Sequence, residues 1–317
     1  MTTDGHSRSA PRATRTQLLL GFACIYVIWG STYLAIHWGV STIPPFILGA
    51  LRFLVAGVVL YAWSRFRGAP PPTRLHWRNA TIVGALLLLV GNGSVVWASK
   101  RVDSGVVSLL VATVPLWVVL CEAVQGKRPR AMQLLGVAIG LVGVGLLVLP
   151  TGDGAQRSAI DPLGAIVLSL GSLAWTAGSL FSRGAQFARP ASLASGMQML
   201  AGGVLMLAAA FATGEPARFE LTQVTWSSSM SLLYLIVFGS LIGFSTYMWL
   251  LKVASPTAVG TYAYVNPLVA VLLGVALGGE KLPAAAFLAM LVIVGGVAMV
   301  SIAPQLGNLA RRAWDSR

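Results

Sequence analysis

The stretch GTYAYVNPL, Gly260–Leu268, decides how this chain folds. It lies in an apolar run, 254–277, that is long enough to cross a bilayer but contains two tyrosines, an asparagine and a proline. Asn266 is costly against lipid, and Pro267 removes a backbone hydrogen-bond donor at the same depth. Polar side chains and an interrupted helix are tolerated there mainly where they face protein or a water-filled cavity. The stretch therefore predicts a membrane helix that lines a solute path.

Apolar runs of this length recur along the whole chain. Of its 317 residues, 56% are hydrophobic and 10% are charged, whereas soluble domains average about 25% charged residues. The runs are too long and too uniform for the strands of a membrane barrel, so they predict an all-α polytopic membrane protein. The ten predicted helices span Gln17–Val40, Pro44–Trp63, Asn79–Ser99, Ser104–Val124, Ala131–Leu149, Pro162–Ser182, Ala191–Thr213, Ser229–Leu251, Pro256–Leu277 and Pro283–Ala303.

The distribution of charge predicts the orientation of the chain in the membrane. With a cytoplasmic N-terminus, 16 lysines and arginines fall on the cytoplasmic side and 5 on the other. This bias predicts that both termini are cytoplasmic, with residues 1–16 as a disordered tail and 304–317 as a basic tail. The net charge of +13 then mainly reflects basic residues that set the orientation of the chain in the membrane. No basic patch with interleaved aromatic residues remains to indicate a nucleic-acid partner.

An internal repeat divides the chain into two halves. Shifting the sequence by 146 residues aligns Trp29 with Trp175, and shifting it by 152 aligns Pro115 with Pro267. The pattern predicts two five-helix repeats, 17–150 and 162–303, joined by a plain connector at 150–161. The other long loop, 214–228, is also interpreted as a plain connector. Because five is odd, the second repeat enters the membrane inverted. Inverted repeats are typical of secondary transporters, whose solute site lies near the midplane between the halves.

Polar and aromatic residues from six predicted helices are candidates for lining such a site. Helical spacing places several of them on common faces, as with Ser172, Trp175 and Ser179 in the sixth helix. In the fourth helix, Ser108 and Thr113 precede Pro115. The candidate substrate-binding residues are Trp29, Tyr33, Asn92, Ser94, Trp175, Ser179, Phe244, Tyr247, Tyr262 and Asn266, and the candidate hinges are Pro115 and Pro267.

Each candidate also has a purely structural interpretation. Trp29 and Trp175 could serve core packing instead of a cavity. Asn92 and Asn266 could hydrogen-bond across helices, and the two prolines could be passive bends. If Asn266 does hold the polar end of a solute, replacing it by Leu is expected to impair transport without preventing membrane insertion.

Two charged residues need separate explanations. Arg52 is the one clearly intramembrane charge and must face the bundle interior, where backbone carbonyls at a kink are plausible partners; a structural clamp is favoured over substrate contact. Glu280 follows the ninth predicted helix. It could be a proton or cation site, although a solvated charge at a helix end is the simpler interpretation.

Glycines in the fifth and tenth predicted helices indicate close helix packing, either between the halves or between subunits of a homodimer. These are Gly136, Gly140, Gly143, Gly295 and Gly296. Elsewhere the sequence has no Cys/His cluster with metal-ligand spacing, no paired carboxylates at membrane depth and no phosphate-binding glycine loop. It predicts no enzyme, no metal and no cofactor. For proton coupling, the candidates are His37, Glu122 and Glu280, all near helix ends.

Several segments resemble the EamA family of the drug/metabolite transporter superfamily, and most closely its YedA-type bacterial inner-membrane permeases. The resemblance covers 17–303. It implies ten helices in two inverted repeats, a cavity between the first, third, fourth, sixth, eighth and ninth helices, and a location in the bacterial cytoplasmic membrane. The family's acidic residue after the fourth helix is replaced here by Lys127–Arg128. The matching segments are IWGSTYLAI (Ile28–Ile36), PPFILGALRFLVAG (Pro44–Gly57), VGNGSVVWA (Val90–Ala98), VATVPLW (Val111–Trp117) and YAYVNPLVAVLLGVALGGEKL (Tyr262–Leu282).

Many members of that family export amino acids or other small metabolites, which leads to a specific expectation. The chain is expected to be a secondary active or facilitative transporter that exports small amphipathic, amino-acid-like metabolites by rocking about Pro115 and Pro267. One alternative is an importer or exchanger of sugars or nucleotide-sugars. The other is a non-transporting assembly or sensor protein, which predicts a filled, dry interior.

Overall fold

A computed structural model describes residues 13–126, 128–148, 162–254, 256–280, 287–300 and 302. Within those ranges all regular secondary structure is helical, which confirms the predicted all-α architecture. Residues 1–12 of the predicted N-terminal tail, the connector at 150–161 and the tail at 304–317 lie outside the described residues.

Seven of the described helices are long and apolar enough to cross a membrane. They are Arg15–Gly39, Pro45–Phe66, Arg74–Ala98, Ser104–Val124, Pro162–Gly184, Ala191–Ala212 and Trp226–Val253. Three others contain shorter apolar segments, Ala131–Val144, Val265–Leu277 and Phe287–Val300. The helices are α1 (Arg15–Gly39), α2 (Pro45–Phe66), α3 (Arg74–Ala98), α4 (Ser104–Val124), α5 (Ala131–Val148), α6 (Pro162–Gly184), α7 (Ala191–Ala212), α8 (Trp226–Val253), α9 (Tyr262–Leu277) and α10 (Phe287–Val300).

Threonine caps determine where three of these helices begin. Thr14 Oγ1 accepts a hydrogen bond from Gln17 N at 3.2 Å, and Gln17 Oε1 accepts one from Thr14 N at 2.9 Å. Thr73 caps α3 through His76 N, and Thr225 caps α8 through Ser228 N. Such caps pair backbone donors that the first helical turn leaves unsatisfied. They explain why α3 and α8 begin a few residues before their apolar runs.

Two helices widen into π-helix near their middle. These segments are Gly84–Asn92 within α3 and Leu235–Phe244 within α8. A π segment shifts the side chains that follow it around the helix axis, and such segments frequently occur at functional sites. The apolar periodicity of the sequence did not predict either of them.

Two other helices are interrupted ahead of their prolines. In α4 a turn at Ala112–Thr113 separates Ser104–Val111 from Val114–Val124, and Pro115 is the second residue of the later segment. A proline at that position leaves no helical hydrogen bond unmade. Before α9, a turn at Gly260–Thr261 follows the short helix Pro256–Val259, and Pro267 lies inside α9. The stretch Gly260–Leu268 therefore contains both a break and a helix-internal proline.

The helices of the two halves are packed against one another. The largest contact is between α2 and α7, and α1 likewise packs on α9 and α3 on α6. Glycines permit close approach: a Cβ on Gly57 of α2 would lie 2.8 Å from the backbone nitrogen of Leu200 in α7. Because paired helices come from different halves, the core is shared between the halves.

Two glutamates cap helices from distant loops at the same end of the bundle, which we call the His37 end because α1 finishes there. Ser104 N and Gly105 N, at the start of α4, donate to the carboxylate of Glu280 at 2.9 and 3.3 Å. Phe46 N and Ile47 N, at the start of α2, donate to Glu215 at 3.2 and 2.9 Å.

These contacts correct two sequence-based interpretations. Glu280 is buried and is not a solvated charge, and the connector that carries Glu215 is more than a plain link. Gly214 and Gly279 have φ of 68° and 66°, a conformation that glycine adopts without strain. Each turns the chain so that the following glutamate points back at a helix N-terminus, where negative charge is favourable.

Asp103 precedes α4 beside this cap and is expected to give a specific pH dependence. Burial raises its pKa above the usual 3.8, Glu280 raises it further, and His37 partly lowers it. A carboxyl whose pKa is raised on folding is harder to ionise in the folded protein than in the unfolded chain. Its contribution to the free energy of unfolding therefore falls as pH rises above its ordinary pKa. As pH rises above about 4, wild type should lose thermal stability relative to Asp103→Asn until the carboxyl is fully ionised. Parallel stability curves for the two proteins would show that Asp103 does not titrate abnormally.

Candidate functional site

A cavity lies at the centre of the bundle, between helices of both halves. Its walls come from α1, α2, α3, α4, α6, α8 and α9. The volume open to the centres of water molecules is about 60 Å³, and one water needs about 10–15 Å³ on this measure. The cavity thus has room for a few waters or for one functional group of a larger solute. The interior is not completely filled.

Four aromatic side chains form one cluster beside the cavity. The centroid of the Trp29 ring lies 5.5 Å from that of Trp175, 4.8 Å from that of Tyr247 and 5.6 Å from that of Tyr262. The contacts with Trp175 and Tyr262 are edge-on. Trp175 Nε1 donates to Tyr247 Oη at 3.0 Å, and Ser179 Oγ lies 2.7 Å from the same hydroxyl. Trp29 is thereby held between α6, α8 and α9, while Tyr247 ties α8 to α6.

Glycines in the π segments give the cavity residues their space. A Cβ on Gly243 would lie 2.6 Å from Trp29 Nε1, and one on Gly91 would lie 3.0 Å from Trp175 Cε3. A Cβ on Gly239 would lie 2.7 Å from Arg52 Nη2. Larger residues at Gly239 and Gly243 would displace Arg52 and Trp29 from α8.

Arg52 reaches this wall from α2. It is 4% exposed, and its Nε donates to Ser240 Oγ of α8 at 2.7 Å. Its guanidinium also lies 4.7 Å from the ring centre of Phe53. Among the described residues, Nη1 has no hydrogen-bond partner. The contact to Ser240 joins α2 to α8, and its acceptor is a hydroxyl and not the kink carbonyl that the sequence suggested.

Two further polar groups on the cavity wall have no partner within the described chain. They are Asn92 Oδ1, at the end of the α3 π segment, and Ser172 Oγ on α6. Buried polar atoms are nearly always hydrogen-bonded, to water if not to protein. With Arg52 Nη1, three residues of the cavity wall therefore carry a buried polar atom that has no hydrogen-bond partner in the described chain.

The predicted site residues fall into two groups. Six line the cavity directly: Trp29, Tyr33, Asn92, Trp175, Phe244 and Tyr262. The other four lie behind its wall, in helix contacts. Of these, Tyr247 and Ser179 belong to the aromatic cluster. Ser94 donates to Gly91 O at 2.7 Å and packs where a Cβ on Gly171 would lie 1.9 Å from its hydroxyl.

Asn266 is buried between α1 and α9. With its amide oriented to satisfy both neighbours, the nitrogen donates to the carbonyl oxygens of Tyr26 and Tyr262, each at 3.2 Å. The same pair of helices is joined by Tyr26 Oη and Thr261 Oγ1 at 2.5 Å. The structure thus places Asn266 in a contact between helices and not on the cavity surface.

The sequence missed some residues of the wall. Thr32, Phe53 and Gly239 line the cavity, and α2 was not among the helices expected to contribute. The phenyl ring of Phe53 gave no signal, since it is one apolar residue in an apolar helix. In the part of the chain that is described, no group of three or more His, Cys, Asp or Glu side chains is arranged to hold a metal ion.

Comparison with known proteins gives the cavity a context. The chain is 40% identical, over 285 residues, to the protein described as the uncharacterized inner membrane transporter YedA of Escherichia coli (strain K12), covering 89% of this chain and 90% of that protein. It is 27% identical over 288 residues to protein PecM of Dickeya dadantii (strain 3937), covering 86% and 91%. A known crystal structure superposes with a TM-score of 0.63 at 22% identity, over 92% of this chain and 99% of that one. That last likeness concerns the fold alone.

The family comparison covers nearly the whole chain. The sequence profile of the EamA-like transporter family matches residues 17–149 and 162–302. The matched ranges contain every cavity-lining residue named above. This chain belongs to the EamA-like transporter family.

Proposed function

We propose that the chain is a secondary transporter that exports small amphipathic, amino-acid-like metabolites across the bacterial cytoplasmic membrane. The observation that carries the proposal is the central cavity. It lies between helices of both halves and has aromatic walls, and three of its residues carry polar atoms with no partner in the described part of the chain. Solute pockets combine such walls with a few polar groups that fix orientation. The export direction rests on likeness to the family.

The proposal includes two inverted five-helix repeats, which several features support. Trp29 lies against Gly243, and Trp175 lies against Gly91. The two tryptophans are 146 residues apart and the two glycines 152, the shifts seen in the sequence. The two π segments, Gly84–Asn92 and Leu235–Phe244, also correspond at a shift of 152 to within one residue. A pseudo-twofold relation between the halves accounts for these matches together.

In this mechanism the two halves rock around the cavity, opening it first to one side and then to the other. The break before Pro115 and the internal Pro267 are the proposed bending points. With 16 basic residues on one side and 5 on the other, the proposed orientation puts both termini in the cytoplasm and the His37 end outside.

Flux from proteoliposomes loaded with a panel of amino acids and aromatic acids tests this function. We expect wild type to release at least one class, and Trp29→Ala to reduce that flux at least about tenfold because the cavity loses its central aromatic wall. Trp63→Ala is the matched control, since Trp63 is 57% exposed and lies far along α2 from Arg52. If no panel member is released by wild type, or if both variants transport equally, the proposed cavity is not the solute path.

A further inference from the structure

Among the described residues, no acidic side chain pairs with Arg52 at the centre of the protein. The residue is 4% exposed and lies in a membrane-spanning helix. Ser240 Oγ engages Nε, but Nη1 is buried with no partner among the described residues. A buried cation without a counter-charge is strongly unfavourable. Because Arg52 lines the cavity, an anionic solute that enters the cavity can supply the missing negative charge.

We propose that Arg52 binds the carboxylate of the transported solute. A guanidinium pairs with a carboxylate through two parallel N–H donors. Since Nε is committed to Ser240, Nη1 and Nη2 are the pair of donors that remains for a ligand. This inference rests on the proposed transport function and names the substrate class of the same cavity.

The rest of the cavity wall limits that class further. Arg52 is the one lysine or arginine among the residues that line the cavity in the described chain. A dianionic phosphate would leave negative charge unneutralised in a low-dielectric site, so a monoanion fits better. Trp29, Trp175 and Tyr262 provide an apolar, aromatic surface for the body of the solute. The fitting substrate is therefore a monocarboxylate with an apolar or aromatic body.

Asn92 and Ser172 indicate a second feature of the solute. Both residues line the cavity, and Asn92 Oδ1 and Ser172 Oγ are buried with no partner among the described residues. The amide oxygen accepts hydrogen bonds, and the hydroxyl can accept or donate. A donor on the solute, such as a hydroxyl or an amine, would satisfy them. Simple aromatic acids should therefore bind, and acids that also carry a donor should bind more tightly.

Gly239 offers a way to move the guanidinium without removing its charge. A Cβ at this position would lie 2.7 Å from Arg52 Nη2 and 3.2 Å from Thr32 Cγ2. Gly239→Ala should therefore shift the guanidinium away from α8 and weaken its bond to Ser240. The charge would stay in the cavity, but its donors would no longer be aligned.

The test measures binding of a matched series to the full-length protein in nanodiscs by titration calorimetry. The series is 3-phenylpropanoate, its neutral amide 3-phenylpropanamide, and phenyl phosphate. We expect wild type to bind the carboxylate at least about tenfold more tightly than the amide, in line with a hydrogen-bonded charge pair. The phosphate should bind more weakly than the carboxylate. Arg52→Gln should abolish the preference, and Arg52→Lys should keep part of it.

Controls keep the result interpretable. If Arg52→Gln does not give monodisperse protein, Arg52→Lys and Gly239→Ala replace it, and Gly295→Ala serves as a glycine control remote from the cavity. Equal affinity for acid and amide in wild type, tighter binding of the phosphate, or no binding of any member would overturn the proposal. Charge-selective binding without flux would refute the transport function and leave the Arg52 site standing. Flux that does not depend on the charge of the solute would support the transport function and refute the Arg52 site.

Discussion

Gly296→Ala is expected to destabilise the fold by about 2–3 kcal/mol, whereas Gly295→Ala, one residue earlier in the same helix, should have almost no effect or a slight stabilising one. A Cβ on Gly296 would lie 2.6 Å from the backbone nitrogen of Gly140 and 2.7 Å from the carbonyl oxygen of Gly136. Backbone atoms of a helix cannot step aside locally, so α10 would have to move away from α5. A Cβ on Gly295 meets nothing within 4 Å.

This pair of adjacent glycines makes a controlled comparison. Both substitutions change helix propensity in the same direction, so the difference between them isolates the contact between α5 and α10. The measurement is the unfolding midpoint in detergent together with the fraction of monodisperse protein. Gly296→Val should be worse than Gly296→Ala. If both alanine variants were as stable as wild type, the close approach of α5 and α10 would be incorrect.

Glu280→Ala is expected to cost about 3 kcal/mol of stability. The carboxylate accepts from Ser104 N and Gly105 N, and hydrogen bonds to charged groups contribute about 1.5–3 kcal/mol each. The α4 N-cap residue, Asp103, makes no side-chain cap of its own, so it provides no substitute acceptor. Loss of Glu280 would leave two buried N–H groups unpaired at the start of α4.

Two further variants determine what Glu280 contributes. Glu280→Gln retains an acceptor but loses the charge, so it should cost about half as much as the alanine substitution. Glu220→Gln, in an exposed position of the α7–α8 connection, should stay within about 0.5 kcal/mol of wild type. Chemical unfolding of the purified proteins measures all three. A stable Glu280→Ala protein would mean that the contact to α4 does not hold the helix.

The sequence was sufficient for the helices because membrane depth imposes a simple rule. A run of about 20 apolar residues must be helical in lipid, and the predicted bounds lie within a few residues of the helices observed. The breaks near Pro115 and Pro267 also follow from local chemistry. The π segments do not follow from local sequence, and the one in α8 places Gly239 and Gly243 against Arg52 and Trp29, which are about 190 and 210 positions away in the chain.

For the site, the sequence found residue types but not their orientation. It identified Trp29, Tyr33, Asn92 and Tyr262, which do line the cavity. It gave equal weight to Asn266, whose amide instead contacts backbone carbonyls between α1 and α9. Which face of a helix meets the cavity depends on tertiary packing, and one sequence does not encode that in a readable pattern.

The polar partners were the hardest part to predict. Arg52 meets Ser240 across 188 positions, and Glu280 meets Ser104 across 176. Arg52 and Glu280 are conspicuous in the sequence, but nothing near them in the sequence identifies Ser240 or Ser104 as their partners. Glu280 follows two glycines at the end of α9, and a Gly-Gly-Glu turn is equally compatible with a solvated charge or a helix cap. The distinction requires knowing that α4 begins beside it.

The proposed transport mechanism requires the cavity to open alternately to the two sides of the membrane. Ser172→Cys, in a background with Cys24→Ala and Cys121→Ala, places one thiol on the cavity wall. Orientation controls are Glu220→Cys, which should react only from outside, and Gly184→Cys, which should react only from the cytoplasm.

Modification of the Ser172→Cys thiol by a membrane-impermeant thiosulfonate, in right-side-out and inside-out vesicles, measures access to the cavity from each side. Alternating access predicts that the reagent reaches this thiol from both sides, and that 3-phenylpropanoate slows the reaction from each. A thiol that reacts from only one side, or from neither, would contradict alternating access.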